Sequence, residues 1–225
     1  MKESPIPFST EMVQAVLNLL KTQTRRTRGL KEFNEDPTNW ICGDLYINES
    51  GELIAPFYHT NREKERNIKC PYGKPGDRVG VKETFALSST RWRYKADSDW
   101  TIEEKEMGED AKWKSSRFMP KAAARIWLQI EEIRVERLHD ITEEDAIAEG
   151  VGAGFQMNAG WPDYQFIKNG VCTLTQDTAI MSFASLWDSI NDKPGSMNWH
   201  SNPWVWVITF KIISTTGKPN LESEI

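Results

Sequence analysis

Three cysteines in 225 residues are too few and too scattered to staple a fold. Cys42, Cys70 and Cys172 are odd in number, form no Cys-x-x-Cys pair and suit reduced thiols in a cytoplasm. Histidine is as scarce. His59, His139 and His200 lie at no ligand-like spacing from one another or from the cysteines, which argues against a zinc site, and no other cofactor is implied. No apolar run approaches the length of a membrane span, and Met1-Lys2-Glu3-Ser4 leads into no apolar block. Neither a membrane segment nor a signal peptide is therefore expected. Excess positive charge is missing too. A net charge of -5 argues against broad, sequence-blind duplex binding, which needs many phosphate-neutralising side chains.

What is present is a globular composition, 39% hydrophobic and 11% aromatic, on a chain long enough to bury a sizeable core. Ten tryptophans serve packing by default, although a minority can offer stacking surfaces for bases. Against the acidic background one stretch stands out. From Lys21 to Lys31 there are Lys21, Arg25, Arg26, Arg28 and Lys31 and no acid, with Thr22 and Thr24 among them. Such a cationic island marks a place for an anion or an electron-rich polar ligand, and hydroxyls beside amines are raw material for nucleophilic chemistry. The plainer reading is a helix C-terminus whose cations offset the helix dipole.

Along the chain, Ser9-Thr10 before Glu11 starts a helix, and Met12, Val16, Leu19 and Leu20 recur at helical spacing, predicting a buried face through Leu20. Residues 32–67 read as polar and irregular, with a hairpin over Asp44 to Ile54. Arg78 to Phe85 alternates as a strand after the turn Tyr72-Gly73-Lys74-Pro75-Gly76-Asp77. Residues 86–116, with Glu103, Glu104, Glu106, Glu109 and Asp110, read as an inserted solvated loop. Arg125 to Leu138 is a strand whose phase shifts after Ile130, as at a bulge, or else two strands turning at Glu131-Glu132. Thr142 caps a short helix ended by Gly150, residues 151–176 read as a loop, and Ile180, Phe183, Ala184, Trp187 and Ile190 make a second amphipathic helix. Trp204 to Ile213 is apolar on both faces and so predicts a central strand. Strands outnumber helices. The expected fold is mixed α+β, a small, partly closed β-barrel with packed short helices and inserted loops.

Four blocks then resemble a family. Leu20-Lys21-Thr22-Gln23-Thr24-Arg25-Arg26 after a helix, Gly73-Lys74-Pro75-Gly76-Asp77 leading a strand, the run from Ile126 to Gly150, and Trp204-Val205-Trp206-Val207-Ile208 are similar to ASCH domain proteins of the PUA-like superfamily, in the larger form carried by bacteriophages and prophages. The resemblance covers about half the chain. It implies one domain over 1–225, with core blocks 5–31, 69–85, 117–150 and 178–213 and insertions at 32–68, 86–116 and 151–177. The family signature is Gly-x-Lys-x-x-x-x-Arg, met here by Lys21, Thr24 and Arg26 but with Leu19 at the glycine position. A β-carbon in a left-handed turn costs about 1–2 kcal/mol, so either the helix runs on through Leu19 or the turn has shifted.

By resemblance the chain acts on a modified nucleoside or RNA inside a bacterial cytoplasm. One implied activity is amide hydrolysis that removes an acyl group from the exocyclic amine of cytidine. The family's catalytic lysine, threonine and glutamate fall on Lys21, Thr24 and Glu149. Thr24 would be nucleophile or positioning group, Lys21 a base if its pKa falls beside Arg25 and Arg26, and Glu149 a proton carrier or a partner for the ring's donor edge. The second implied activity is non-catalytic reading of RNA or modified bases, with Arg25, Arg26 and Arg28 on the ligand. A third possibility is a phage assembly or host-interaction protein that uses the barrel as scaffold, its protein partners unnamed by the sequence.

Overall fold

In the computed structural model the described residues are all but 88–90, 98–111, 153–159, 169–170, 192–196 and 220–225. The acidic run around Glu103 to Asp110 and the Pro194-Gly195 helix stop lie outside them. Strands dominate a mixed α+β architecture. The chain begins with β1 (Glu3–Pro7), then α1 (Thr10–Leu17), β2 (Gln23–Arg26) and the short α2 (Lys31–Glu35). Next come β3 (Trp40–Cys42), β4 (Tyr46–Ile47), β5 (Leu53–His59), β6 (Glu65–Lys69) and β7 (Arg78–Lys82). A small hairpin, β8 (Phe85–Leu87) with β9 (Trp92–Tyr94), precedes the long β10 (Trp127–Arg137) and α3 (Glu143–Ala148). Four two-residue strands follow, β11 (Trp161–Pro162), β12 (Ile167–Lys168), β13 (Val171–Cys172) and β14 (Thr175–Gln176). The last elements are α4 (Ala179–Asn191) and β15 (Trp204–Ser214).

The central sheet runs β1-β7-β10-β15-β2, with β1 parallel to β7 and the rest antiparallel. β15 is central, as its two apolar faces require: Val205 and Val207 pack under α3 and α4 while Trp206, Ile208 and Phe210 enter the main core. β10 is one bent strand, not two. Its register against β15 slips between Ile130 and Glu132, which places the bulge where the apolar phase changes.

Among the described residues no closed barrel is found. β1 and β2 are the two edges, and the seam between them is crossed by a side chain: Arg26 donates from Nη2 to the Pro7 carbonyl at 2.8 Å. In a strand the N–H and C=O of one residue point the same way. Because the Pro7 carbonyl faces the seam, so do the nitrogens of Pro7 and, two residues earlier, Pro5. Neither carries a proton, so on this side of β1 only the Glu3 amide is left to donate to a closing ladder.

Residues 32–68 form more than an irregular decoration. β3 and β4 pair with one side of β5 and β6 with the other, and Phe33, Trp40, Leu53, Ala55 and Phe57 belong to the same core cluster as Val13, Trp206 and Phe210. Phe33 stacks on Phe57 with centroids 3.9 Å apart. Residues 151–177, where described, form short hairpins rather than an unstructured loop. Among the described residues no helix is long and apolar enough to cross a membrane.

Candidate functional site

The site begins at the end of α1. Ser9 accepts from the Met12 amide and starts the helix, which stops at Leu17, earlier than the apolar spacing predicts. Leu19 and Leu20 are therefore exposed, not buried. The stop is a tight left-handed closure. Leu19 has φ of 60°, its amide bonds the Val16 carbonyl, and the Leu20 amide returns to the Ala15 carbonyl at 2.8 Å. Leu19 thus keeps the backbone expected of glycine at this position. Neither a continued helix nor a shifted turn is needed. The closure drops Lys21 inward: its amide also bonds the Ala15 carbonyl, and its side chain is fully buried.

Glu149 arrives from the C-terminal cap of α3. Thr142 caps the helix start, and Gly150 follows Glu149 with φ of 84°. A β-carbon on Gly150 would sit 3.0 Å from the β-carbons of both Ala15 and Lys21, so only glycine lets α1 and α3 approach this closely. Lys21 Nζ consequently donates to Glu149 twice, to Oε2 at 2.8 Å and to the backbone carbonyl at 2.7 Å. Burial holds the Lys21 ammonium below its ordinary pKa; Glu149 opposes that, and the charges of Arg26 and Arg25 add to it. The direction is the one a base requires, but desolvation is the main cause and the arginines contribute less.

Strand alternation divides the basic residues. Arg25, beside Gln23 on one face of β2, is buried and bonds Glu149 Oε1 (3.2 Å), Glu136 Oε1 (2.6 Å), Asp145 Oδ2 (2.8 Å) and Gln23 Oε1 (2.6 Å). Arg134 secures the same acids, bonding Glu136 at 2.8 Å and Asp145 at 2.7 Å. Burial raises the Asp145 carboxyl, but Gln23, Arg25 and Arg134 outweigh it and hold the group below its ordinary value. Arg26 points to the seam, its guanidinium 5.3 Å from the Phe8 ring centroid, with Lys21 Nζ 5.6 Å from the same ring. Arg28 is exposed and lies outside the cavity described next. The three arginines therefore do not form one patch, and Arg25 is neutralised by three carboxylates.

Thr24 is buried yet makes no side-chain hydrogen bond among the described residues. With Glu149, Arg25 and Arg26 it lines a cavity of about 80 Å³ whose far wall is Phe183 and Trp187 of α4. This cavity abuts a larger hollow of about 300 Å³, and the two share Met12, Glu149, Leu186 and Ile190. Tyr164 and Ile167 also line the hollow. Lys21 itself lines neither space, so it stands behind Glu149. No known protein family, curated protein or solved structure matches the chain. Among the described residues no group of three or more His, Cys, Asp or Glu is placed to hold a metal.

Sequence reasoning missed Gln23, Glu136 and Asp145 as partners of Arg25. Glu136 and Arg134 alternate on one face of a long strand, which signals a charged face. Asp145 sits in a helix first turn, where an acid already has a local reason to be. Phe183 and Trp187 were assignable to a helix but not to a cavity wall.

Proposed function

We propose that the chain is a nucleoside-directed amidohydrolase of the ASCH kind, removing an acyl group from the exocyclic amine of a cytidine-type base. The supporting observation is that Glu149, paired with buried Lys21 behind it, lines the same cavity as an unengaged Thr24 hydroxyl. A planar base would lie against Phe183 and Trp187 with its acylated amine toward Glu149. Hydrolysis forms a carbon–oxygen bond at the acyl carbon and breaks the carbon–nitrogen bond, with a proton passing from the attacking hydroxyl to the departing amine. Glu149 is the acid–base group that faces the ligand. Lys21 behind it exchanges that proton, because burial disfavours its charged form while Glu149 favours it. Thr24 either holds the attacking water or attacks itself, in which case the acyl-Thr24 ester it forms is cleaved by a water that releases the carboxylic acid and restores the hydroxyl.

The test is chromatography of released cytidine from a panel of N4-acylcytidines. Wild type should hydrolyse at least one of them. Glu149→Gln and Lys21→Arg should lose nearly all activity, since Arg keeps charge but cannot give up its proton. Full activity in Lys21→Arg would remove the proton-exchange role. The aromatic wall facing a carboxylate also favours a second reading, a non-catalytic reader of modified bases in RNA or DNA. Base binding without turnover of any acylcytidine would replace the first reading by the second.

A further inference from the structure

A separate hollow of about 340 Å³, sharing no residue with the cavity at Thr24 and Glu149 or with the hollow beside it, opens where the start of β1 meets the β4–β5 turn and the turn before β7. Its wall carries Lys2, Lys69 and Lys74 against Glu52 and Asp77. Both carboxylates are already occupied. Asp77, 5% exposed, accepts the backbone N–H of Lys2 at 2.7 Å and of Lys74 at 3.1 Å. Glu52 is ion-paired with Lys69 and bonded by Asn48 at 3.3 Å, and these two partners keep its carboxyl below the ordinary range. The Lys2 and Lys74 ammonium groups form no salt bridge among the described residues, although the Lys2 charge is near enough to Glu52 to help lower its carboxyl.

The backbones that carry these two ammonium groups are fixed. Asp77 ties both lysine backbones to one point, and it fits there because residue 73 is glycine. A β-carbon on Gly73, whose φ is 122°, would lie 2.7 Å from Asp77 Oδ2. Lys74 Nζ then reaches across to the β4–β5 turn, 3.5 Å from where a β-carbon on Gly51 would be. The arrangement uses compact ammonium charges without an arginine fork, which suits phosphate as a point-charge partner more than a carboxylate held bidentately.

We propose that this hollow binds a phosphate group, carried either by a small phosphorylated ligand or by a nucleic-acid phosphodiester. The idea goes beyond the amidohydrolase reading and does not depend on it. Two titrations of the full chain separate the sources, one with inorganic pyrophosphate by calorimetry and one with a single-stranded oligonucleotide by anisotropy, each at low and high salt. Wild type should bind at least one, pyrophosphate alone indicating a small ligand. The double variant Lys2→Gln, Lys74→Gln should weaken that binding about tenfold or more, and lower an oligonucleotide salt slope by about 1 per lysine. Its thermal melt should stay close to wild type, because neither ammonium forms a salt bridge among the described residues. Lys121→Gln is the charge control, since Lys121 pairs with Glu3 at 2.6 Å outside the hollow. The proposal is overturned if neither probe binds at low salt, if the double variant binds as wild type does, or if Lys121→Gln weakens binding equally.

Discussion

Replacing Leu19 by glycine and, separately, by alanine isolates the strain in the turn that aims Lys21. Leu19 sits at φ of 60° and is 74% exposed, so it combines a left-handed backbone with little packing. The left-handed conformation costs a residue with a β-carbon about 1–2 kcal/mol. Glycine removes that cost, but its freer unfolded chain takes back about 0.4–1 kcal/mol. Both variants lose the quarter of the side chain that is covered, about 0.4–0.8 kcal/mol on the scale of a fully buried leucine. The alanine variant keeps the strain and should be less stable than wild type by that last amount. Leu19→Gly should be more stable than Leu19→Ala by about 0.5–1 kcal/mol and close to wild type. Equilibrium urea unfolding followed by tryptophan fluorescence reads the difference as a shift in midpoint at constant slope. If alanine proves as stable as glycine, the left-handed closure is absent in solution and the inward placement of Lys21 loses its cause.

Arg25→Ala should destabilise the protein by about 3 kcal/mol, the lower end of the range for breaking a buried pair, because Arg134 still holds Glu136 and Asp145. Arg28→Glu, on an exposed side chain, should stay within about 0.5 kcal/mol of wild type; denaturant midpoints of the two compare directly, and equal loss would contradict the buried network. Acid stability should depend on Asp145. Its pKa is depressed in the fold, so the unfolded chain takes up protons first as pH falls below its ordinary 3.8, and stability is lost through that window. Asp145→Asn should flatten the fall in melting temperature below that pH, and an unchanged slope would count against the ion-pair assignment.

The elements with strong local signals were legible. Ser9 and Thr142 announce helix starts through their caps, and the phase change after Ile130 announces a bulge, each a physical rule acting within a few residues. Ile126, Leu128, Trp206 and Phe210 are buried, as their place on apolar strand faces predicts. The end of α1 was not legible, because Leu19 and Leu20 continue the apolar spacing while the backbone has already turned. Of the second sheet only the β4–β5 hairpin, expected over Asp44 to Ile54, was legible, and the rest was hidden for two reasons. β5 carries Pro56, which weakens a strand reading, and β6 is the largely exposed Glu65-Arg66-Asn67 run with no buried face to pattern. At the site, no spacing rule joins Lys21 to Glu149, 128 residues apart; only the resemblance put them together. The fate of Arg25 was equally opaque, since its partners come from β10 and α3, and burial turned an apparent surface cation into the centre of an ion-pair cluster.

The prolines of β1 also bear on how copies of this chain behave toward one another. A bare sheet edge invites a strand from a second molecule, and crowding or unfolding stress then leads to aggregation. Here the seam-facing side of β1 offers no amide proton at Pro5 or Pro7, and Arg26 already occupies the Pro7 carbonyl. An incoming strand would find acceptors but, beyond the Glu3 amide, no donor. The device that leaves the sheet unclosed therefore also hinders its extension, and replacing both prolines by valine should increase self-association, read by light scattering.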